Sequence, residues 1–311
     1  MNPRRNMKSP AFSLLALVVL CSSVTSRGGE SDAKGSDAKI TTPKESPWTV
    51  SSELTLDYGY VGPSKTGGSD ISEQSSGAEY VMTLRYKEGA PLRIGFEWNR
   101  YSFSNTVDSP IPNTLQSEAI IAGVDFEVFN SVFIRIEAQP GWYNAAGRVT
   151  GDAFNVPVIV GGSYLYSKDL QIALGVSIDP QREYPVIPGG GIRWQINDKW
   201  VLNAMLPKPR LEYQATSALT IYGGADVLEG SYRAPGDFGR FTHNPNLNGR
   251  WLDYDEVRLG GGASFKFSDK VHMDFEMGYM AYREFNFHGT DVNPHSGSAG
   301  LYVGVTIGAK F

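Results

Sequence analysis

The chain has 311 residues, a net charge of −5, 20% charged residues and 35 glycines. Both signs of charge are dispersed, so no basic patch argues for nucleic acid. After the N-terminal segment no run of about eighteen apolar residues occurs, which removes a transmembrane helix, and the single cysteine, Cys21, removes a disulfide framework.

Residues 1–26 read as a secretion signal. Arg4, Arg5 and Lys8 form its positive region, Ala11 to Cys21 its short apolar core, and Val24-Thr25-Ser26 a small-residue cleavage site. Lipidation of Cys21 is disfavoured because Leu20 stands where such sites carry Gly, Ala or Ser. Residues 27–46 are mostly Gly, Ser, Asp, Lys and Thr, with the repeat Ser31-Asp32-Ala33-Lys34 and Ser36-Asp37-Ala38-Lys39. Such a segment has nothing to bury and reads as a disordered linker.

From Trp48 the pattern changes to a period of two, which means extended strands with two unlike faces. Trp48, Val50, Leu54, Leu56, Tyr58 and Tyr60 oppose Thr49, Ser51, Glu53, Thr55 and Asp57. Tyr80, Met82, Leu84 and Tyr86 oppose Glu79, Thr83 and Arg85, and Leu92, Ile94, Phe96 and Trp98 oppose Arg93, Gly95, Glu97 and Asn99. The alternation returns at 120–128, 132–139, 258–267 and 271–277. It ends in Leu301 to Phe311, where Leu301, Val303, Val305, Ile307, Ala309 and Phe311 form one apolar row.

Connections of two kinds alternate between these strands. Six are tight, at 88–89, 130–131, 168–169, 197–198, 216–217 and 268–269. The others are longer and more polar, near 62–77, 105–114, 144–152, 179–185, 230–253 and 286–297. Short turns at one end and long loops at the other are the arrangement of a transmembrane β-barrel, and aromatics beside the tight turns (Tyr86, Phe129, Tyr164, Tyr166, Trp194, Trp200, Tyr213, Phe267) suit an interfacial girdle. The turn count gives fourteen antiparallel strands in an up-and-down meander. It gives twelve if the hairpin at Pro207-Lys208-Pro209, whose flanking strands are short, does not cross. The expected fold is therefore all-β, one barrel over residues 47–311, closed by its last strand against its first. Alternation alone also suits a soluble β-protein; the signal segment, the turn asymmetry and the terminal Phe311 favour the membrane. Phe311 is the expected signal to the barrel-assembly machinery.

One stretch carries a resemblance. Trp194-Gln195-Ile196-Asn197-Asp198-Lys199-Trp200, Leu206 to Tyr213, Leu219 to Ala225 and Gly230-Ser231-Tyr232-Arg233 resemble a domain-of-unknown-function family of bacterial outer-membrane β-barrels. So do Leu252-Asp253-Tyr254 with Glu256 and Arg258, and Gly278-Tyr279 with Arg283. The resemblance implies outer-membrane location and fold, and no catalytic residues.

No constellation for chemistry stands out. His243, His288 and His295 fall in long loops, and His272 shares a face with Asp274 and Glu276; a metal needs several converging ligands, and cross-strand pairing is the simpler reading. His295-Ser296 are sequence neighbours that point to opposite strand faces and do not match the His-x-Ser-Asn-Gly motif of outer-membrane phospholipases. The glycine triplets 189–191 and 260–262 precede no helix, so they are not phosphate loops. No cofactor is expected. The informative set is the charge that phases to the polar face: Arg85, Arg93, Glu97, Asp125, Glu127, Arg135, Glu137, Arg193, Arg258, Asp274 and Glu276. In a barrel these line the lumen, where they either pair or meet water. An open lumen makes the protein a passive channel for small polar solutes. A closed one makes it a non-conducting structural or surface-binding barrel, and a hydrolase is the weakest reading. The expected partners are outer-membrane lipid and the assembly machinery, with the barrel a monomer. Loop 230–253, rich in Arg and aromatics, either folds inward or stands outside.

Overall fold

The computed structural model describes residues 47–104, 109–129, 131–240 and 243–311; the segments read as signal and linker lie outside these. The strands are β1 (Trp48–Thr66), β2 (Ser69–Tyr86), β3 (Leu92–Phe103), β4 (Thr114–Phe129), β5 (Val132–Ala138), β6 (Gly141–Asn144), β7 (Phe154–Asn155), β8 (Val158–Leu165), β9 (Leu170–Ile178) and β10 (Val186–Gln195). They continue with β11 (Trp200–Asn203), β12 (Arg210–Gln214), β13 (Leu219–Arg233), β14 (Trp251–Lys266), β15 (Val271–Phe287) and β16 (Gly300–Lys310). Fourteen of them, all but β6 and β7, pair in sequence order as a closed antiparallel barrel. Closure runs from Glu53 opposite Lys310 to Val61 opposite Tyr302. Phe311 completes it, exchanging backbone hydrogen bonds of 3.1 and 2.9 Å with Ser52. The hairpin at 207–209 does belong to the wall, because β12 pairs with β13 from Arg210 opposite Gly224 to Gln214 opposite Thr220.

The outer face is an apolar belt. Leu56, Tyr58, Ile94, Phe96, Ile120, Leu174, Phe275, Met277 and Leu301 are all exposed there. The turn-side aromatics Tyr86, Phe129, Tyr164, Tyr166, Trp194, Trp200 and Phe267 are exposed beside the end where β1 begins and β16 ends, here called the terminal end. This is the girdled surface that lipid requires of a barrel.

The strands are of two lengths, and this shapes the whole molecule. Strands β1 to β4 and β13 to β16 run 11 to 19 residues, whereas β5 and β8 to β12 run 4 to 10. Prolines mark where the short strands stop: Pro140 above β5, Pro157 above β8, Pro180 and Pro185 above β9 and β10, Pro207 and Pro209 between β11 and β12. Proline cannot donate to a ladder, so it ends or kinks the pairing. Beyond this level β6 continues along β4, from Ala119 opposite Gly141 to Gln116 opposite Asn144. Asn144 then meets Arg233 of β13 directly, and Ala145 N–H donates to the Arg233 carbonyl at 2.8 Å. The wall that has fourteen strands at the terminal end is therefore a ring of nine at the distal end: β1 to β4, β6 and β13 to β16.

Two loop assignments change. The stretch 62–77 is not a loop. β1 and β2 extend through it as a paired hairpin, joined by Gly67 and Gly68, both at positive φ. The connection expected at 230–253 is shorter, spanning 234–250, and it folds inward: Phe238 and Leu247 are buried, with Phe238 stacked on Phe287 at 5.6 Å.

An outward residue in mid-belt should be intolerant of charge. Val305, between Tyr58 and Phe275, is expected to lose about 2–4 kcal/mol as Val305→Arg. Its inward neighbour, as Thr306→Arg, should lose far less. Urea titration of the folded barrel, followed by heat-modifiable gel mobility, measures both.

Candidate functional site

The inward face of β1 and of β14 divides into two zones. Along β1, Glu53 and Thr55 are part-exposed and Asp57 is exposed, while the next inward positions, Gly59 and Val61, are buried. Along β14, Lys266 and Gly260 are exposed, while Arg258, Glu256, Tyr254 and Leu252 are buried. On β1 and β14 the boundary lies near the narrowing of the ring, whereas on β2 to β5 the inward residues Val81, Arg93, Ile121 and Glu137 are buried on its terminal side as well.

The distal zone is packed solid. Ile71, Phe103, Ile111, Leu115, Tyr232, Tyr254, Phe285, Phe287 and the loop residues Phe238 and Leu247 form one apolar core. Phe103, Tyr254 and Phe285 contact one another with centroids 5.1 to 5.7 Å apart. At its base lies a group of four charges with two acids and two bases. Arg258 reaches Glu73 at 2.8 Å and Glu256 at 2.5 Å. Arg283 pairs with both carboxylates, at 2.6 Å for Glu256. The Tyr254 hydroxyl donates to Glu73 or Glu256 at 2.9 and 2.8 Å. The side chains of Glu73, Glu256 and Arg283 have no solvent exposure. Charges so far from water persist only when paired and hydrogen-bonded. Glu73 comes from β2, while its three partners come from β14 and β15, so the group ties opposite arcs of the ring together.

The terminal zone keeps its charge along the wall, partly open to solvent at Glu53, Thr55 and Asp57 and partly buried at Arg93 and Glu137. Arg93 pairs with Glu137 at 3.1 Å, and Arg135 grips Asp125 through two bonds of 2.6 and 2.8 Å. Arg210 pairs with Glu276, lies 3.8 Å from Asp274, and stacks on the Tyr222 ring at 4.1 Å. The Tyr222 ring rests on Gly262, where a Cβ would come within 2.6 Å of its hydroxyl, so that member of the 260–262 triplet makes room for a lumen tyrosine. Lys208, from the short hairpin, reaches Asp226 at 3.2 Å.

One arc departs from this pairing. Glu79 and Glu97 stand directly opposite each other on β2 and β3, and Asp57 is beside them on β1, opposite Gly77. Glu97 accepts from Asn99. Among the described residues no Lys or Arg nitrogen lies within 4 Å of Asp57, Glu79 or Glu97. Like charges directly opposite are destabilising, and what screening there is comes from the exposure of Asp57 and the part-exposure of Glu79 and Glu97.

The structure thus gathers Arg93, Glu137, Asp125 and Arg135 into one patch, and Asp274 and Glu276 into another. It buries Arg258 in the four-charge group and leaves Glu97 in the acidic arc. Arg85 and Glu127 are exposed near the terminal rim, and Arg193 is part-exposed on β10. His272 is on the inward face, and no group of three or more His, Cys, Asp or Glu converges to hold a metal among the described residues. Sequence reasoning missed Glu73, Glu256, Arg283, Asp57, Glu79, Arg210 and Asp226 as lumen residues. The phase of Glu79 and Asp57 was readable from their strands. Glu73 was hidden in the stretch taken for a loop.

Removing one member of the four-charge group should be severe. Arg283→Ala leaves two buried carboxylates with one cation and is expected to cost about 3–5 kcal/mol. Removing a matched pair, Arg283→Met with Glu73→Gln, should recover most of that loss in the same urea assay.

No family model matches the chain, and no curated protein matches it. Solved structures of outer-membrane barrels align with the chain over most of its length. An outer membrane channel of Pseudomonas putida F1 aligns with a TM-score of 0.44 at 8% identity, covering 84% of this chain and 95% of that one. The toluene transporter TodX of Pseudomonas putida aligns with a TM-score of 0.40 at 9% identity, covering 84% and 89%. The NanC porin aligns with a TM-score of 0.34 at 11% identity, covering 81% and 98%.

Proposed function

We propose that the protein is a bacterial outer-membrane channel for small polar solutes, closed at its outer end in the described conformation. The observation that carries this reading is the charge-lined, partly solvent-open lumen of the terminal zone, with Asp57 exposed to it. A barrel that served only as a scaffold gains nothing from three neighbouring carboxylates with no cation at ion-pair distance, since that arrangement costs stability. In a water-filled passage the same arc concentrates cations. The terminal end, with its tight turns, faces the periplasm in this reading. The apolar belt meets outer-membrane lipid, Phe311 carries the assembly signal, and the chain groups with the family that its segment 194–233 resembles.

A second reading rests on a specific observation. The distal core and its buried four-charge group fill the axis of the ring, which also suits a non-conducting structural barrel. Planar-bilayer recording of the purified, heat-modifiable protein separates the two. The channel reading expects discrete current steps with a preference for cations, and Glu97→Gln should move the reversal potential in a KCl gradient toward zero. A silent membrane with a folded barrel would sink it in favour of the structural reading.

A further inference from the structure

The change from fourteen strands to nine leaves a shoulder. The short strands end there, and the outer edge of β13 passes from Val227, whose N–H still donates to the Pro207 carbonyl at 3.0 Å, up to Arg233, which meets β6. Between them, residues 228–232 have a strand partner only in β14. At about 3.3 Å per residue these five residues make about 17 Å of strand edge on the side of the wide lumen.

A loop covers this shoulder. Residues 179–185 join β9 to β10 and lean across to the upper ring. Their fastening is polar throughout. Arg182 pairs with Glu229 of β13 at 2.6 Å and reaches Asp255 of β14 at 3.4 Å, with its side chain 6% exposed. The Glu183 N–H donates to Asp253 at 3.1 Å. At the other side Asn155 donates to Asp179 at 2.8 Å. Beneath the loop the inward surface is apolar: Ile187, 6% exposed, packs with Ile159 and Leu206.

Resting on the channel reading, we propose that loop 179–185 is the closure of a side exit, through which solute leaves the wide lumen beside the packed distal core rather than through it. The axial path is blocked by wall side chains such as Phe103, Leu115, Tyr254 and Phe285, packed with Ile111, Phe238 and Leu247 of the connections, and the wall side chains cannot leave without unfolding the ring. The shoulder is blocked by one loop held by a few polar contacts, of which the Arg182 guanidinium makes two ion pairs and Glu183 bonds with Asp253 and Asn286. Loops fastened by few buried apolar contacts open at low free-energy cost. Glu229, Asp253 and Asp255, which the loop engages, are outward residues of the upper ring, so the exit leads to water above the lipid belt. Its carboxylates continue the acidic character of the Asp57, Glu79 and Glu97 arc.

Cysteine labelling from outside the cell tests this without needing current, so a silent bilayer and a failed exit are separate results. Ile187→Cys lies under the loop and Leu115→Cys lies in the distal core. With a bulky maleimide-polyethylene glycol, both should be protected in an otherwise unaltered chain. Adding Arg182→Ala should label Ile187→Cys about tenfold faster, because the open fraction follows the lost closure free energy, and should leave Leu115→Cys protected. Arg182→Lys, which keeps the charge, should restore most of the protection, and gel mobility confirms folding of each variant. Labelling of Ile187→Cys that is unchanged by Arg182→Ala, or that appears equally at Leu115→Cys, would overturn the proposal.

Discussion

The number of strands in a closed ring sets how much space it encloses, and the rest of this structure follows from that constraint. A ring of about eight strands has an interior that side chains just fill. The distal ring of nine is close to that size, and Phe103, Leu115, Tyr254 and Phe285 fill it. Fourteen strands enclose more than the side chains of one wall can occupy, so the terminal zone stays accessible to solvent at Glu53, Thr55 and Asp57. Both zones are built by the same eight long strands. What differs is whether β5 and β8 to β12 contribute, and prolines at their distal ends decide that.

Electrostatics follows the same division. Where water is absent, every described charge at the core base has opposite partners, and Glu73, Glu256, Arg258 and Arg283 share several bonds each. Where water is present, pairing is looser and the Glu79 and Glu97 side chains face one another. Desolvation explains the contrast: an unpaired carboxylate is costly in the core and cheap in the lumen. The boundary, one inward residue beyond Asp57 on β1, is therefore a step in effective dielectric as well as in width.

The barrel was legible because lipid and lumen impose opposite demands on alternate residues. Leu301 to Phe311 shows this most plainly, and its pairing with β1 closes the ring. The pattern fails above the lipid, where the outer face no longer needs to be apolar. Residues 62–77 are rich in Ser and Gly and read as a loop, yet they are paired strand. Glu73 was lost with them, and so was the four-charge group, whose members lie up to 210 positions apart. The narrowing could not be read either, because β6 meets β13 only in three dimensions. The inward fold of 234–250 had a composition that suited both outcomes, and burial of Phe238 and Leu247 decides it.

The central claim is that the inward row of β1 passes from open to packed at a fixed level, between Asp57 and Val61. A cysteine series on this row measures it directly, using Glu53→Cys, Asp57→Cys and Val61→Cys in the purified folded barrel with a small methanethiosulfonate reagent. The account predicts fast reaction at Glu53→Cys and Asp57→Cys and protection at Val61→Cys. Equal reaction along the whole row would mean an open bore from end to end and would contradict it.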